Sequence, residues 1–271
     1  MGLKEGHMTK DVNALTAPLS GGGRIPLLGF GTWQLEGAEA YEGTRAALEI
    51  GYRHIDTATG YSNEDRVGAA LRDSGVERSE VFVTTKCPPE RAGQELKTLE
   101  ESLSALGLEF VDLWLVHWPP NGQARPSTWR QFIAAAEAGK VRSIGVSNYS
   151  IAQIDELIEA TGQGPAINQI PWSPFLYDPA TAAALSDRDV VLEGYSPLKR
   201  SNLGHPLLAE LARTYGKTPA QIVLRWHLEH GFVVIPKSAR RERIQENFDL
   251  GGFQLTEEDV ARLDRVKGGG R

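Results

Sequence analysis

Residues 81–117 read VFVTTKCPPERAGQELKTLEESLSALGLEFVDLWLVH, and this stretch contains the repeating unit that decides the fold. VFVTTK and FVDLWLVH are apolar runs of strand length, whereas GQELKTLEESLSAL between them has the spacing of an amphipathic helix. A strand, a helix and a second strand in this order are typical of a parallel sheet covered by helices.

The same alternation continues on both sides of this unit. Strands are predicted at residues 28–32, 53–58, 81–86, 110–117, 142–147, 166–169, 190–195 and 232–236. Eight strands alternating with helices predict a (β/α)8 TIM barrel of the α/β class, and 271 residues suit a fold of about 250.

The start of the chain differs from this pattern. Two short extended runs around the triple glycine at residues 21–23 predict a β-hairpin, since no helix follows that could make the glycines a phosphate loop. No linker or repeat divides the chain, so residues 12–267 are predicted to form one barrel domain. Residues 1–11 would be a tail, in which Gly6-His7-Met8 resembles an expression-vector remnant.

Several helix starts carry capping signals. Ser150 with Gln153 and Thr218 with Gln221 match the capping box, and Asp178 precedes a proline at the first helical position.

Composition narrows the classes of protein that the chain can represent. The net charge is −6 and the pI is about 5.6, so no basic surplus indicates a nucleic-acid partner. Cys87 is the single cysteine, which fits a reducing compartment. No apolar stretch approaches the roughly 18 residues of a membrane span, and the N-terminus lacks the apolar core of a signal peptide. We expect a cytoplasmic, monomeric protein with no membrane partner.

Four polar residues lie at or just past the ends of the second, third and fourth predicted strands: Asp56, Tyr61, Lys86 and His117. In a parallel barrel they would meet at the carboxyl-end mouth, where barrel enzymes have their active sites. For Asp56 and Lys86 alone, a purely structural ion pair is an equal alternative. Tyr61 favours catalysis, because a cation nearby can lower a phenol pKa of about 10 by roughly 1–3 units. With His117 as a second donor, the group suits protonation of a carbonyl oxygen while another agent attacks the carbon.

The later strand ends suggest that this agent is hydride from a nicotinamide dinucleotide. Short amide and hydroxyl groups and one flat ring lie at the ends of strands five to seven: Ser147, Asn148, Gln169 and Tyr195. After strand eight, two cations and a hydroxyl lie near a helix start, which is typical of a phosphate site: Lys237, Ser238 and Arg243. Taken alone, this last cluster would be interpreted as a solvated helix end.

At this point the sequence resembles the aldo-keto reductases over almost its whole length. GYRHIDTATGYSNEDRVG at residues 51–68 is similar to the first signature of that family, and IPKSARRERIQENFDL at 235–250 to its coenzyme-binding signature. VTTK, DLWLVHWP and GVSN are similar to the motifs that supply the lysine, the histidine and the carboxamide site. The outline resembles the short bacterial group that includes 2,5-diketo-D-gluconate reductases.

The resemblance implies an NADPH-dependent reductase of small aldehydes, ketones, α-dicarbonyls or keto-sugars, with no metal. It implies a catalytic tetrad of Asp56, Tyr61, Lys86 and His117, with Tyr61 as the general acid. It implies coenzyme contacts from the strand ends and from the segments that follow them: Gly31, Thr32, Ser147, Asn148, Gln169, Tyr195, Ser196, Leu198, Ser201, Lys237, Ser238, Arg243, Glu246 and Asn247. Trp33 and Trp118 would form walls of the substrate pocket, a core role being the alternative.

The sequence departs from the family pattern after strand six. Relatives commonly have a glutamate and then a histidine-proline pair there, whereas this chain reads NQIPWSPF, with Pro171 and Ser173 in those places. We therefore expect an altered pocket wall beside an intact tetrad.

Other functions are weaker interpretations. A coenzyme-binding sensor or accessory module with little turnover is the main alternative, since potassium-channel β subunits resemble this family. A metal-dependent hydrolase lacks ligands, because His227 and His230 form only a superficial pair. Gly29-Phe30-Gly31 lacks the third glycine and the acid of a Rossmann fingerprint. His54 is predicted to be a packed barrel histidine, and Cys87 a passive thiol.

Overall fold

Eight parallel strands form a barrel in the computed structural model, which describes residues 11–266. Neighbours in sequence are neighbours in the sheet, from β3 through to β10. The barrel strands are β3 (Phe30–Gly31), β4 (His54–Asp56), β5 (Phe82–Cys87), β6 (Val111–Val116), β7 (Val141–Ser147), β8 (Ile167–Pro171), β9 (Val191–Tyr195) and β10 (Val233–Ile235). The barrel is closed by the residues around β3, since Leu28 pairs with Val234 and Gly31 N donates to the Pro236 carbonyl.

An antiparallel hairpin precedes the barrel, as predicted. Its strands are β1 (Thr16–Pro18) and β2 (Arg24–Pro26), and the triple glycine forms the turn between them. Gly22 and Gly23 both have positive φ angles (94° and 80°), a conformation that glycine adopts without strain. Gly21 lies against Ser143 near the start of β7, so the hairpin covers the amino-terminal end of the barrel and leaves the opposite mouth free.

Ten α-helices surround the strands in the described part of the chain. They are α1 (Gly37–Ile50), α2 (Glu64–Asp73), α3 (Glu95–Leu106), α4 (Pro126–Glu137), α5 (Ile151–Thr161), α6 (Pro179–Ser186), α7 (Pro206–Tyr215), α8 (Pro219–Glu229), α9 (Arg241–Phe248) and α10 (Glu257–Asp264). One helix follows each barrel strand except β9, which is followed by α7 and α8, and α10 lies at the end. The (β/α)8 barrel with an N-terminal hairpin is therefore confirmed.

The helix caps follow the sequence signals. The Ser150–Gln153 and Thr218–Gln221 capping boxes are both complete, and Asp178 accepts hydrogen bonds from the first turn of α6. Each cap satisfies backbone N–H groups that a helix start leaves without partners.

The hydrophobic core lies both inside the barrel and between the strands and the helices. Trp114 on β6 is fully buried and stacks on Phe132 of α4, with 3.7 Å between ring centroids. Trp226 on α8 is also fully buried. No helix within residues 11–266 combines the length and the apolar character that crossing a bilayer requires.

The domain limits of 12 and 267 stay a prediction. Residues 1–10, including His7, and residue 267 lie outside the described residues.

Candidate active site

The carboxyl ends of the barrel strands surround a cavity of about 550 Å³. Asp56 is the last residue of β4, and Lys86 is the last but one of β5. His117 directly follows β6, and Tyr61 ends the single 3₁₀ turn Thr59–Tyr61 that follows β4. Asp56, Tyr61 and His117 line the cavity, and Lys86 is completely buried beside them. The structure thus brings together the four residues that the sequence placed at this mouth.

Lys86 is held by the strand end that precedes Tyr61. Its Nζ donates to Asp56 Oδ1 at 2.6 Å and to the Thr57 carbonyl at 2.8 Å. A longer contact of 3.5 Å joins the same ammonium to Tyr61 Oη. Because Lys86 and Asp56 are 0% and 2% exposed, water screens this ion pair little, and the charge of Lys86 acts strongly on the phenol.

Burial and charge oppose each other in this cluster. Burial alone would lower the pKa of Lys86, but Asp56 and Tyr61 outweigh it and the pKa is raised, so Lys86 remains a cation. For Tyr61, burial raises the pKa and Lys86 offsets that rise only in part. The sequence-based expectation of a more acidic phenol is therefore wrong for this structure, because desolvation of the phenolate outweighs the nearby cation. Tyr61 is protonated at neutral pH, which is the form that a proton donor requires.

His117 faces Tyr61 edge to face, with 5.6 Å between ring centroids. Burial, and then the charge of Lys86, lower the pKa of His117 to about 3. The imidazole is therefore neutral and can donate one N–H into the cavity. Its main-chain carbonyl accepts from Asn148 Nδ2 at 3.2 Å, which joins the end of β6 to the end of β7.

Hydrogen bonds link the polar ends of β7, β8 and β9 to each other and to the catalytic carboxylate. Ser147 Oγ donates to the main-chain carbonyl of Gln169 at 2.8 Å, and Asn148 Nδ2 donates to Ser147 Oγ at 2.9 Å. Tyr195 Oη donates to Asn148 Oδ1 at 2.9 Å, and Gln169 Nε2 donates to Asp56 Oδ2 at 2.9 Å. All four predicted nicotinamide contacts line the cavity in one connected network.

The segment after β10 carries the predicted phosphate site. Lys237 lines the cavity, whereas Arg243 lies exposed on α9 outside its lining. Ser238 is buried, and its Oγ accepts from Arg240 N at 3.0 Å. Among the described residues neither Lys237 nor Arg243 has an ion-pair partner within 4.0 Å, while neighbouring Arg241 pairs with Glu49 at 2.7 Å. Two cations without local carboxylates are the donor set that an anion would need.

The other predicted coenzyme residues lie around the cavity in varied settings. Asn247 is buried on α9, and Glu246 Oε1 accepts from Thr218 Oγ1 at 2.7 Å, which ties α9 to the cap of α8. Gly31 lines the cavity and passes so close to Ile235 that a Cβ would lie 3.0 Å from its carbonyl oxygen. Glu246 and Asn247 are outside the cavity lining.

Thr32 and the segment after β9 complete the predicted coenzyme set. Thr32 is fully buried, and its Oγ1 donates to the Asp56 carbonyl at 3.0 Å, so it fixes a strand end instead of facing the cavity. Ser196 lines the cavity with a left-handed backbone (φ 53°), as does Asn148 (φ 63°). Leu198 packs against the core and Ser201 Oγ donates to the Pro197 carbonyl, so neither reaches the cavity. The left-handed backbone of Ser196 and Asn148 is uncommon for non-glycine residues and is concentrated at functional sites.

Trp33 and Trp118 form part of the cavity wall. They are 42% and 48% exposed, so the alternative of a core role does not apply to them. The Lys199 ammonium lies 5.0 Å from the centroid of the Trp33 ring. Lys199 and Arg200 both line the cavity, and the sequence analysis did not identify them because a loop of unknown path carried no signal.

The departures after β8 have a structural role. Pro171 is the last residue of β8, and Ser173 is fully buried. Ser173 Oγ donates to the Arg200 carbonyl at 3.0 Å and accepts from Phe175 N at 3.2 Å. Ser173 therefore ties the segment after β8 to the segment after β9, and it is not part of the cavity lining.

Glu193 is the main residue that the sequence analysis missed. It is completely buried on β9, two residues before Tyr195, among the strands that carry the catalytic residues. A single acidic residue within the apolar run VVLEGY was the signal that could have identified it. Within the described chain, both of its carboxyl oxygens lack a hydrogen-bond partner.

The residues that were assigned structural roles are buried as expected. His54 is fully buried, and burial lowers its pKa to about 3. Cys87 is buried, and burial raises the pKa of its thiol to about 12, which fits an unreactive side chain. Among residues 11–266 no group of three or more His, Cys, Asp or Glu side chains could hold a metal ion.

Comparison with known proteins agrees with this geometry. The sequence model of the Aldo/keto reductase family matches residues 27–205 and 203–267. This chain belongs to the aldo/keto reductase family. The family confirms an oxidoreductase that acts on carbonyl groups, and aldo-keto reductases use NADP(H), so the expected coenzyme is confirmed as well.

Individual relatives cover almost the same length. The methylglyoxal reductase DkgA of Yersinia pestis is 41% identical over 251 residues, 91% of each chain. The methylglyoxal reductase DkgA of Escherichia coli K12 is 40% identical over 262 residues, 94% of this chain and 95% of its own. An aldo/keto reductase structure from Brucella melitensis superposes with a TM-score of 0.89 at 41% identity, covering 93% of this chain and 98% of its own. A Bombyx mori aldo-keto reductase in complex with NADP has a TM-score of 0.85 at 34% identity, covering 93% of this chain and 92% of its own.

Proposed function

We propose that this aldo/keto reductase reduces small aldehydes, ketones, α-dicarbonyls or keto-sugars, and that Tyr61 is its general acid. One observation supports this most strongly. Tyr61 Oη lies on the cavity 3.5 Å from the buried Lys86 ammonium, and the phenol is kept protonated by burial. A proton donor beside a fixed cation is the arrangement that stabilises negative charge developing on a substrate oxygen.

The residues around the cavity suit the coenzyme. The Ser147 hydroxyl group and the side-chain amides of Asn148 and Gln169 offer partners for a carboxamide, and the half-buried ring of Tyr195 offers a stacking face. Lys237 and Arg243, which have no carboxylate partner in the described chain, would hold the adenosine 2′-phosphate. Bound NADPH would supply the hydride for the substrate carbon.

The tetrad then performs the proton transfer. Tyr61 Oη gives its proton to the carbonyl oxygen, and Lys86 stabilises the phenolate that remains. Asp56 keeps Lys86 charged inside the protein through the 2.6 Å ion pair. The neutral imidazole of His117 is able to donate a hydrogen bond to the same substrate oxygen and so orient it. Trp33 and Trp118 form an apolar wall on one side of the cavity.

Replacing Tyr61 tests this proposal. Tyr61→Phe should lower kcat about 10²–10⁴-fold, because general acid catalysis typically contributes that much. NADPH affinity, measured by fluorescence titration, should remain close to that of the wild type. Oxidation of NADPH would be followed by the loss of its absorbance, with methylglyoxal as the first substrate. Tyr41→Phe is the matched control, because its hydroxyl bonds Asp73 on the surface, far from the tetrad.

The outcomes separate the two functions that the sequence left open. A Tyr61→Phe enzyme that keeps most of its activity would refute the role of Tyr61. A wild-type protein that binds NADPH tightly but turns over no carbonyl in a broad panel would favour the sensor or accessory module. We also predict that the protein is monomeric and cytoplasmic. Light scattering of the purified protein measures its molar mass and so tests whether it is a monomer.

A further inference from the structure

Glu193 is a carboxyl group in the barrel interior that the proposed reaction does not use directly. Residues two apart on a strand point to the same side, so Glu193 lies one layer below Tyr195, which lines the cavity. It is 0% exposed, and in residues 11–266 neither carboxyl oxygen has a hydrogen-bond partner. A buried polar group of this kind is costly, and each one requires an explanation.

The titratable groups that face Glu193 come from the catalytic strands. His54 of β4 is closest, with 3.9 Å from its Nε2 to Glu193 Oε1. Asp56 of β4 and Lys86 of β5 act on Glu193 through their charges. Tyr195, two residues along β9, is the remaining titratable group on its own strand face.

The strands on either side of β9 offer neutral side chains. Gln169 is the register partner on β8, but its Nε2 donates to Asp56 Oδ2 at 2.9 Å instead of to Glu193. Val233 is the register partner on β10. Gln169 stabilises a negative charge on Glu193 only in part, because burial and the charge of Asp56 still raise the pKa of this carboxyl group, and Val233 offers no polar side chain.

The buried charges leave no cation for a second carboxylate. Lys86 is already bound to Asp56 Oδ1 and to the Thr57 carbonyl, and only its long 3.5 Å contact reaches Tyr61. A negative charge on Glu193 would attract the Lys86 ammonium and oppose its action on the phenol, because charges interact strongly in a medium of low dielectric constant.

We propose that Glu193 is a positioning residue that acts on Tyr61 through Lys86. When it carries a proton, Lys86 is left to stabilise the Tyr61 phenolate, and when it is ionised that stabilisation weakens. This inference rests on the proposed role of Tyr61 as general acid. Burial and then the charge of Asp56 raise the pKa of Glu193 to about 8, and His54 is neutral, so Glu193 carries its proton at neutral pH.

The pH profile of kcat for carbonyl reduction is the first test. The wild type should lose activity by about tenfold as the pH rises through about 8, since a nearby charge can shift a pKa by roughly 1–3 units. Glu193→Gln should lack this step, because its side chain stays neutral. Glu193→Asp should again show a fall in kcat with rising pH, since aspartate keeps a carboxyl group that can ionise. Glu95→Gln is the matched control, as this buried carboxyl group is paired with Thr128 Oγ1 at 2.6 Å.

Two results would overturn the proposal. The first is a Glu193→Gln enzyme whose kcat falls by one factor at every pH, which is the behaviour of a purely structural residue. The second is a Glu193→Gln profile that retains the wild-type step.

Unfolding in urea provides a readout that does not depend on turnover. The pKa of Glu193 is about 8 in the folded state against an ordinary value of 4.5, so the folded protein keeps a proton that the unfolded chain has lost. Its contribution to stability is therefore lost as the pH rises towards about 8. Between about pH 6.5 and 8.5, above the titration of His54, the wild type should lose stability relative to Glu193→Gln.

The two readouts separate the two proposals. Parallel pH dependence of unfolding in the wild type and in Glu193→Gln would refute the buried titration of Glu193, whatever the activity. A stability difference without any carbonyl reduction at any pH would reject the proposed function, and with it the action of Glu193 on Tyr61, while leaving the titration itself established.

Discussion

At the scale of single residues, Lys237 and Arg243 differ from Arg241, a cation on the same segment. Arg241 is paired with Glu49 at 2.7 Å, whereas these two have no such partner in the described structure. A cation that is left free of carboxylates at the end of a barrel strand can meet a phosphate without first breaking an ion pair. This difference identifies which substitutions should affect the coenzyme.

Replacing Lys237 or Arg243 with alanine should weaken NADPH binding by about tenfold or more. Each charge-assisted hydrogen bond is worth roughly 1.5–3 kcal/mol, and about 1.4 kcal/mol corresponds to one decade of affinity. NADH lacks the 2′-phosphate and should be affected much less. Dissociation constants for both coenzymes measure the effect, with Arg241→Ala as the control. Equal losses for NADPH and NADH would show that these residues act structurally.

At the scale of elements, the segments after β8 and β9 are joined by one buried hydroxyl group. Ser173 Oγ donates to the carbonyl of Arg200, and Arg200 lines the cavity with Ser196 and Lys199. Ser173 is outside the cavity lining. Its effect on the cavity is therefore indirect, through the path of the segment after β9.

Ser173→Ala should raise KM for NADPH severalfold and change kcat little, because it loosens a wall without touching the tetrad. The lost hydrogen bond should also lower the free energy of unfolding by about 1 kcal/mol. Steady-state kinetics and urea unfolding give both values. Ser74→Ala is the control, since Ser74 is outside the cavity lining. Its Oγ donates a hydrogen bond of 2.8 Å to the Leu71 carbonyl. Matching effects in the two variants would mean that Ser173 has no special influence on the cavity.

At the scale of the whole molecule, one buried histidine contributes to the way in which stability responds to acid. His227 on α8 is fully buried, and burial lowers its pKa to about 4. The folded state therefore excludes a proton that the unfolded chain binds below its ordinary pKa of 6.5. Stability is therefore lost as the pH falls from about 6.5 towards 4.

In acid, His227→Gln should reduce the slope of the free energy of unfolding against pH by up to roughly 1.4 kcal/mol per pH unit, which is the effect of one proton. Urea unfolding of wild type and variant at several pH values measures the slopes. Above about pH 7 the two slopes should coincide, because the histidine is then neutral in both the folded and unfolded states. Identical slopes in acid would show that His227 is protonated within the folded protein.

The shape of the mouth bears on the choice of substrate. The connection between β6 and α4 is short and contains one 3₁₀ turn, Pro120–Gly122, and the two tryptophans of the wall remain exposed. Little apolar surface is available to enclose a bulky ketone. Small or activated carbonyls, such as methylglyoxal and diketo-gluconate, should therefore give higher kcat/KM than steroids, with high KM from scarce remote contacts. A steroid with the best kcat/KM and a low micromolar KM would contradict this expectation.

The sequence by itself determined the barrel, the hairpin, the helix caps and the convergence of the tetrad. Each of these depends on local patterns: apolar runs at strand length, capping residues at fixed spacing, and the rule that parallel strands end on one side. Asp56, Lys86 and His117 could be placed because each lies at the end of a strand, and Tyr61 because it follows one closely.

Only the tertiary structure decided the ionisation of these groups and the roles of Ser173, Thr32 and Glu193. Burial is a sum over many elements that meet in space, and it reversed the expected direction of the Tyr61 pKa. Thr32 bonds to Asp56 24 positions away, and Glu193 is close to His54 on a distant strand. Such pairs are created by closure of the barrel, so no spacing along the chain encodes them.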